Sequence, residues 1–205
     1  MLKGKFITLE GGEASGKSTH LQLLGEWLTR QNIPHIITHE PGGTPLAEDI
    51  RHLLLKKQAE IVAPDTELLL AFASRAQHLA ELIVPALNEG KWVVCSRFTD
   101  STYAYQGAGR GLSMDKIAIL ETLVHGHLQP DVTFLLDLPV TLAATRARER
   151  GELDRIEEES LAFFDRVHAA YLIRAKNDPE RFCVIDASAE KESVHQQMVL
   201  RLSGL

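Results

Sequence analysis

An α/β fold, a parallel sheet wrapped by helices, is what this 205-residue sequence predicts, and three observations predict it. Five short apolar or β-branched runs, Phe6 to Leu9, His35 to Thr38, Trp92 to Cys95, Val132 to Leu136 and Phe182 to Ile185, recur between longer segments with helical spacing. That alternation is the pattern of parallel strands joined by helical crossovers. The first run leads into a glycine-rich octapeptide and then an amphipathic segment carrying Leu21, Leu24 and Leu28, which is a strand-loop-helix unit. The length suits one well-buried domain and is short for two, so residues 1–205 are expected to form a single domain. No repeat, low-complexity tract or Ser/Gly linker divides it.

In chain order, the octapeptide comes first. Gly11-Gly12-Glu13-Ala14-Ser15-Gly16-Lys17-Ser18 fits the pattern GxxxxGK[ST]. In this strand-to-helix setting, successive backbone N–H groups surround a phosphate, Lys17 adds charge toward its outer oxygens, and Ser18 offers a hydroxyl to Mg²⁺. The loop therefore predicts a bound nucleoside triphosphate. The second strand ends in Glu40-Pro41-Gly42-Gly43-Thr44, a rigid turn before a helix that carries Arg51. From Glu67 to Leu87 the apolar residues Leu68, Leu69, Phe72, Leu79, Leu82 and Ile83 are interrupted by Arg75, Gln77 and His78, as expected of a long helix crossing a site.

The third strand runs into Ser96-Arg97-Phe98 and then Ser101-Thr102-Tyr103-Ala104-Tyr105-Gln106-Gly107. This polar and aromatic stretch suits a base and sugar, although Tyr105 fits a core position with a satisfied hydroxyl equally well. Gly107, Gly109 and Gly111 bracket Arg110, which suggests a flexible crossing near phosphate. Late in the chain the charges crowd together from Arg146 to Arg155, followed by Glu157, Glu158 and Glu159. At 100° per residue Arg146 and Arg150 share a helix face. Gly151 then ends or loosens the helix, which would let Arg150 swing over a phosphoryl group as part of a lid at about residues 146–158.

Composition narrows the partners. A net charge of −6 argues against broad binding to nucleic acid or an anionic membrane, either of which needs a basic surface. Cys95 and Cys183 are the only cysteines and lack metal-site or disulfide-framework spacing, which fits a reduced, cytoplasmic protein. Both are expected in strands as small hydrophobes. There is no signal-peptide core and no apolar stretch of membrane-spanning length.

With these residues in hand, the chain resembles the thymidylate kinases across nearly its whole length. Glu10-Gly11 through Lys17-Ser18-Thr19, Glu40-Pro41-Gly42-Gly43-Thr44, Arg97, Ala104-Tyr105-Gln106-Gly107, Gly109-Arg110-Gly111 and Arg150-Gly151-Glu152-Leu153-Asp154-Arg155 stand in the family's order and spacing. The resemblance implies a P-loop kinase fold with a five-stranded parallel sheet and a short lid. It also implies a homodimer that converts dTMP to dTDP with ATP and Mg²⁺. The loop interior Glu13-Ala14-Ser15 has no arginine, so the chain is similar to the bacterial subtype in which the lid supplies it.

Carried over by position, Gly11, Gly12, Glu13, Ala14, Ser15, Gly16, Lys17, Ser18 and Thr19 would hold ATP, with Ser18 on the metal. Lys17, Arg97 and Arg150 would be catalytic. Glu13, Arg75, Arg97, Ser101, Thr102, Tyr105 and Gln106 would hold the acceptor: Arg75 on the thymine carbonyl, Thr102 at the base edge, Tyr105 near the sugar, Glu13 on its 3′-hydroxyl. Three positions depart from the family: Ser96 where Asp usually precedes the arginine, His39 where arginine commonly precedes Glu-Pro-Gly-Gly, and Ala71 where an aromatic commonly stacks on thymine. Phe72, about 100° further round, is expected in the core. Two other functions share parts of this pattern. Another nucleoside monophosphate kinase would differ in the base pocket, and a nucleotide-binding switch would need no second pocket.

Overall fold

Each of the five apolar runs forms a strand, and each strand extends one residue beyond its run: β1 (Phe6–Glu10), β2 (His35–His39), β3 (Trp92–Ser96), β4 (Val132–Asp137) and β5 (Phe182–Asp186). The added residues are all polar. Pairing continues through them because it is made by backbone, as in the neighbouring pairs His39↔Ser96 and Asp137↔Asp186. The computed structural model describes residues 4–205, apart from the side chain of Arg150. All strand pairs are parallel and the order is β2-β3-β1-β4-β5, so β1 is central. Every residue of β1 is buried, as a central parallel strand covered on both faces requires. Its one polar interior residue, Thr8, bonds Thr133 on β4 at 2.8 Å.

The connections are helical: α1 (Lys17–Arg30), α2 (Pro45–Leu55), α3 (Pro64–His78), α4 (Val84–Asn88), α5 (Thr99–Thr102), α6 (Met114–Val124), α7 (Val140–Arg150), α8 (Leu161–Asn177) and α9 (Lys191–Leu202). The expected long helix over 67–87 is present as α3 and α4 joined by a π-helical turn, Leu79–Ile83. A second π-helical segment, Tyr103–Gly109, continues α5.

Local chemistry sets the helix ends. Gly16, at φ 92°, turns the loop into α1, a conformation that disfavours side chains. Pro64 opens α3 with Asp65 and Glu67 in its first turn, favourable for the helix dipole. The Ser160 hydroxyl accepts the Phe163 N–H and caps α8. On one face of the sheet, Leu24 and Leu28 pack with Ile7, Leu9, Phe134 and Met198. Both leucines are fully buried and each contributes about 1.5–3 kcal/mol by that burial. Elsewhere Phe6, Val93, Cys95 and Phe98 meet Leu79, Ile83 and Leu87. The cysteines lie in β3 and β5 as expected, unpaired, and burial pushes both thiols up.

With β1 in the middle, its C-terminal end and that of β3 deliver the glycine-rich loop and Arg97 to the same edge of the sheet. Ligands of open parallel sheets bind at that edge.

Candidate active site

Two connected cavities open at this edge. The larger, about 780 Å³, is lined by Glu13 to Thr19, with Ser96, Arg97 and Arg146 around it. The narrower, about 110 Å³, is lined by Ala71, Arg75, Phe98, Ser101, Thr102, Tyr105 and Gln106 among others. Glu13, Glu40, Arg51, Arg97 and Asp154 line both. The cavities are therefore two compartments of one cleft.

The larger compartment is built for phosphate. The first helical bond of α1 runs from His20 N–H to the Gly16 carbonyl, so the Ser18 and Thr19 amides lie before the ladder begins, at the positive end of the helix. The Lys17 ammonium donates to the Gly11 and Gly12 carbonyls at 3.1 and 2.6 Å and to the Ser15 hydroxyl at 3.2 Å. Gly11, at φ 134°, packs so closely on β4 that a Cβ there would stand 2.5 Å from the Leu136 carbonyl oxygen. Ala14 adopts a left-handed φ of 51°, which is uncommon for a residue with a side chain.

Arg97 joins the compartments. It follows β3 with φ 68°, a strained backbone that costs on the order of 1–3 kcal/mol unless its surroundings hold it. They do. Its N–H donates to the Leu9 carbonyl at 2.9 Å. Its guanidinium donates to Glu13 Oε1 at 2.6 Å, the Tyr105 and Tyr171 hydroxyls at 3.0 and 3.2 Å, Ser101 Oγ at 3.2 Å and the Gly11 carbonyl at 3.0 Å. Burial disfavours its charge, but Glu13 and the two tyrosines outweigh that and keep it firmly protonated. Tyr105 also donates to Glu13 at 2.7 Å, and burial first of all raises its phenol well above the ordinary value. Its dual expectation resolves as both: it is 5 % exposed, packed against Phe163 and Tyr171, with its hydroxyl in the cleft.

Arg75 is held from behind. Its Nε donates to Glu40 at 2.7 Å and Nη1 to Thr102 at 3.1 Å, while its guanidinium lies 4.9 Å from Phe72 and 5.1 Å from Phe98. Glu40 also meets His78 at 3.1 Å, and His78 in turn meets Thr38 at 2.7 Å. Burial pushes the Glu40 carboxyl up, yet Arg75 and His78 together hold it below the ordinary value. Gly43 makes this chain possible, since a Cβ there would lie 2.4 Å from His78 Nε2.

The sequence-predicted residues assemble to different degrees. Ser15, Gly16, Lys17, Ser18 and Thr19 gather at the larger compartment, and Arg75, Ser101, Thr102, Tyr105 and Gln106 at the smaller. Gln106 directs its amide N–H to Glu67 at 2.8 Å. The side chain of Arg150 lies outside the described residues; its backbone ends α7, and Gly151 at φ 128° follows. Phe72 is in the core with Leu68 and Ile117, as expected, and Ala71 lines the cavity. His39 bonds Glu48 at 2.8 Å.

The glycine-bracketed Arg110 is not near the phosphate compartment. It pairs with Glu67 and Glu159 and packs on Phe163 at 4.8 Å. Nor do these glycines all serve flexibility: a Cβ on Gly109 would lie 2.6 Å from Phe163, so close packing is the requirement there.

Sequence reasoning missed several residues. Arg51 lines both compartments and donates to the Pro41 carbonyl at 2.9 Å; its place after the Pro-Gly-Gly turn was the available signal. Phe98 supplies an aromatic wall. Glu10 receives the Phe98 N–H and the hydroxyls of Ser101 and Tyr171 at 2.6–2.9 Å. Burial and the negative Asp100 raise its carboxyl above the ordinary value. Tyr171 is 161 positions from Glu10, and no local pattern announces it.

Comparison with known proteins decides the family, because residues 9–198 match the family model described as Thymidylate kinase. The chain belongs to the thymidylate kinase family. It is accordingly an enzyme, a nucleotide kinase whose acceptor is thymidylate. Curated thymidylate kinases resemble it along most of their length. That of Pseudomonas putida (strain W619) is 53% identical over 200 residues, covering 98% of this chain and 97% of the relative. That of Teredinibacter turnerae is 56% identical over 186 residues, covering 91% of each. The crystal structure of thymidylate kinase from Ehrlichia chaffeensis superposes with a TM-score of 0.77 at 35% identity, covering 97% of this chain and 98% of that one. The expected P-loop kinase fold is thereby shown, and the switch reading falls away.

Proposed function

We propose that the larger compartment holds ATP with Mg²⁺ and the smaller holds dTMP, whose phosphate accepts the transferred group beside Arg97. The observation that carries this reading is the shared wall. Glu13, Arg51 and Arg97 face both compartments, so donor and acceptor phosphates meet between them. ATP supplies the phosphoryl group, and Mg²⁺ neutralises charge on its oxygens.

The chain's own work is then placement and charge compensation. Lys17 exchanges its loop carbonyls for phosphate oxygens, and Ser18 and Thr19 present their amides. Ser18 also offers its hydroxyl to the metal. Ser96 lines the compartment where the family usually has a carboxylate, while Glu13, Glu40, Glu152, Asp154 and Glu157 bring carboxylates to its walls. Among the described residues no preformed cluster of metal ligands stands there, which fits a metal that arrives with the nucleotide. Arg97 grips the acceptor phosphate, and Arg75 and Thr102 read the base edge, with the buried Phe98 backing Arg75. Arg150 closes from the lid. The reaction needs no dedicated base, because the second pKa of a phosphate monoester is about 6.

ADP release measured with ATP and a panel of nucleoside monophosphates tests the assignment. Turnover is expected with dTMP, only with added Mg²⁺, and far slower with UMP, AMP or GMP. Faster turnover with another monophosphate overturns the base assignment. Arg75→Ala is expected to raise the dTMP KM with little change in that for ATP, since a charge-assisted hydrogen bond contributes about 1.5–3 kcal/mol. Equal loss for both nucleotides assigns Arg75 a structural role instead.

The working unit in this reading is a single-domain protomer in a cytoplasmic homodimer. The outer faces of α3 and α6, which pack on one another, carry Leu69, Ile119 and Leu123, all exposed and the last at 78 %. Apolar surface of this kind marks an interface. Ile119→Asp with Leu123→Asp is expected to sediment as a monomer; an unchanged dimer mass moves the interface elsewhere. Among the described residues no helix is long and apolar enough to cross a membrane.

A further inference from the structure

Away from the phosphates, one buried carboxylate draws two guanidinium groups from separate parts of the chain. Glu67 stands in the first turn of α3 and is 1 % exposed. Its Oε1 accepts Gln106 Nε2 at 2.8 Å and Arg110 Nε at 3.1 Å; its Oε2 accepts Arg110 Nη2 at 3.1 Å. Arg155 Nη2 comes within 2.8 Å of the same Oε2. Its approach is off the N–H direction, so the contact is an ion pair more than a hydrogen bond. Burial raises the Glu67 carboxyl, but the Arg110 and Gln106 bonds and the neighbouring charges hold it below the ordinary value. It is therefore an anion facing two guanidinium groups.

Arg155 belongs to the segment 151–160 between α7 and α8. It is also fastened to the end of α2, with its N–H on the Leu55 carbonyl at 3.1 Å and its Nε on the Leu54 carbonyl at 2.9 Å. Glu159, from the same segment, closes on Arg110. The residues flanking Arg155, Asp154 and Ile156, line the smaller compartment. Asp154 Oδ1 accepts the Ile156 and Glu157 N–H groups at 2.8 and 2.9 Å, so this stretch is stiffened by its own turn. A buried ion pair is a poor source of stability beside an apolar contact of the same size. What it supplies here is one more fixed point for a segment also held by Arg155 on Leu54 and Leu55, by the Lys57–Glu158 ion pair at 2.5 Å and by Ile156 against the core.

We propose that Glu67 is a positioning residue: by holding Arg155 and Arg110 at one carboxylate, it docks the 151–160 segment as the roof of the acceptor compartment. The roof's contact with dTMP rests on the assignment of that compartment above. Docking itself does not.

Hydrogen exchange of the 151–160 amides in the ligand-free enzyme, in wild type, Glu67→Gln and Arg155→Ala, tests the docking. Faster exchange in this segment, beyond what any general loss of stability produces elsewhere, is expected in both variants, because local opening is controlled by the contacts that hold the segment. Glu67→Gln is also expected to lower the melting temperature, since it leaves Arg110 and Arg155 without their carboxylate. The dTMP KM is expected to rise by about tenfold or more, following the loss of a charged contact, and the ATP KM to rise with it, since Glu152, Asp154 and Glu157 of the same segment line the larger compartment. The double variant should fall short of the sum of the two single effects, since the Glu67–Arg155 pair is shared while each side chain also has contacts of its own. A Glu67→Gln protein with lower melting temperature but wild-type exchange in 151–160 overturns the proposal and makes Glu67 a structural anchor only. Faster exchange with an unchanged dTMP KM upholds docking and overturns its role over the acceptor. Should Glu67→Gln not fold, Arg155→Ala breaks the same pair from the less buried side and gives the same readouts.

Discussion

Lys17→Ala is expected to lower kcat by about 10²–10³-fold while the fold survives. The rate loss follows from removing a preorganised cation where charge moves during transfer, and single donors of this kind carry roughly that factor. Survival follows from the contacts. The ammonium binds the Gly11 and Gly12 carbonyls and the Ser15 hydroxyl, all in a loop that borders an open cavity, so water can take its place. A stability change of about 1 kcal/mol would move the melting temperature by only about 2–4 °C in a chain of this size. Near-normal turnover with an unchanged circular dichroism spectrum would show that the triphosphate binds elsewhere.

The second large effect is expected at the lid. Arg150→Ala should lower kcat by about 100-fold or more, with the ATP KM shifting only a few-fold. Arginines engaged chiefly in the transition state of phosphoryl transfer contribute on the order of 10³–10⁵ in rate. Arg150→Lys should recover little, because an ammonium lacks the planar fork that matches two phosphate oxygens. Two nearby arginines bear on the size of the loss. Arg155 is committed to Glu67 and to the end of α2, so it does not substitute. Arg146 lines the phosphate compartment, with Nη1 3.3 Å from the Ala187 carbonyl, and any compensation comes from there. A kcat for Arg150→Ala within a few-fold of wild type would return the 146–155 charges to the role of a solvated helix end.

Steady-state kinetics alone separates the two variants. In the proposed arrangement Lys17 touches the donor phosphates in every bound state, so its loss is expected in the ATP KM as well as in kcat. Arg150, if it closes only on the complete complex, acts on kcat almost alone. A large rise in the ATP KM for Arg150→Ala would place it on the ground-state nucleotide instead.

The five strands, the glycine-rich loop and many of the residues that line the two compartments were legible in the sequence for physical reasons. A central parallel strand is buried on both faces, so Phe6 to Leu9 reads as a run of apolar and β-branched residues without polar alternation. A loop that wraps phosphate with backbone needs glycine at fixed spacing, and Lys17 and Ser18 must follow it directly. Phe72 could be assigned to the core by angle alone, because helical geometry puts it about 100° from Ala71. What only the tertiary structure decided are the long-range polar networks. Arg110, between glycines, suggested a phosphate contact; folding instead buries Glu67 beside it, and a buried carboxylate must find cations wherever the chain brings them. Glu10 meets Tyr171, and Glu40 holds Arg75 directly while being braced in turn by His78 and, behind it, Thr38. Such partners lie tens of positions or more apart, with no periodicity to link them. Backbone pattern is written locally in the residues, whereas the satisfaction of buried charge is settled only when distant elements are packed together.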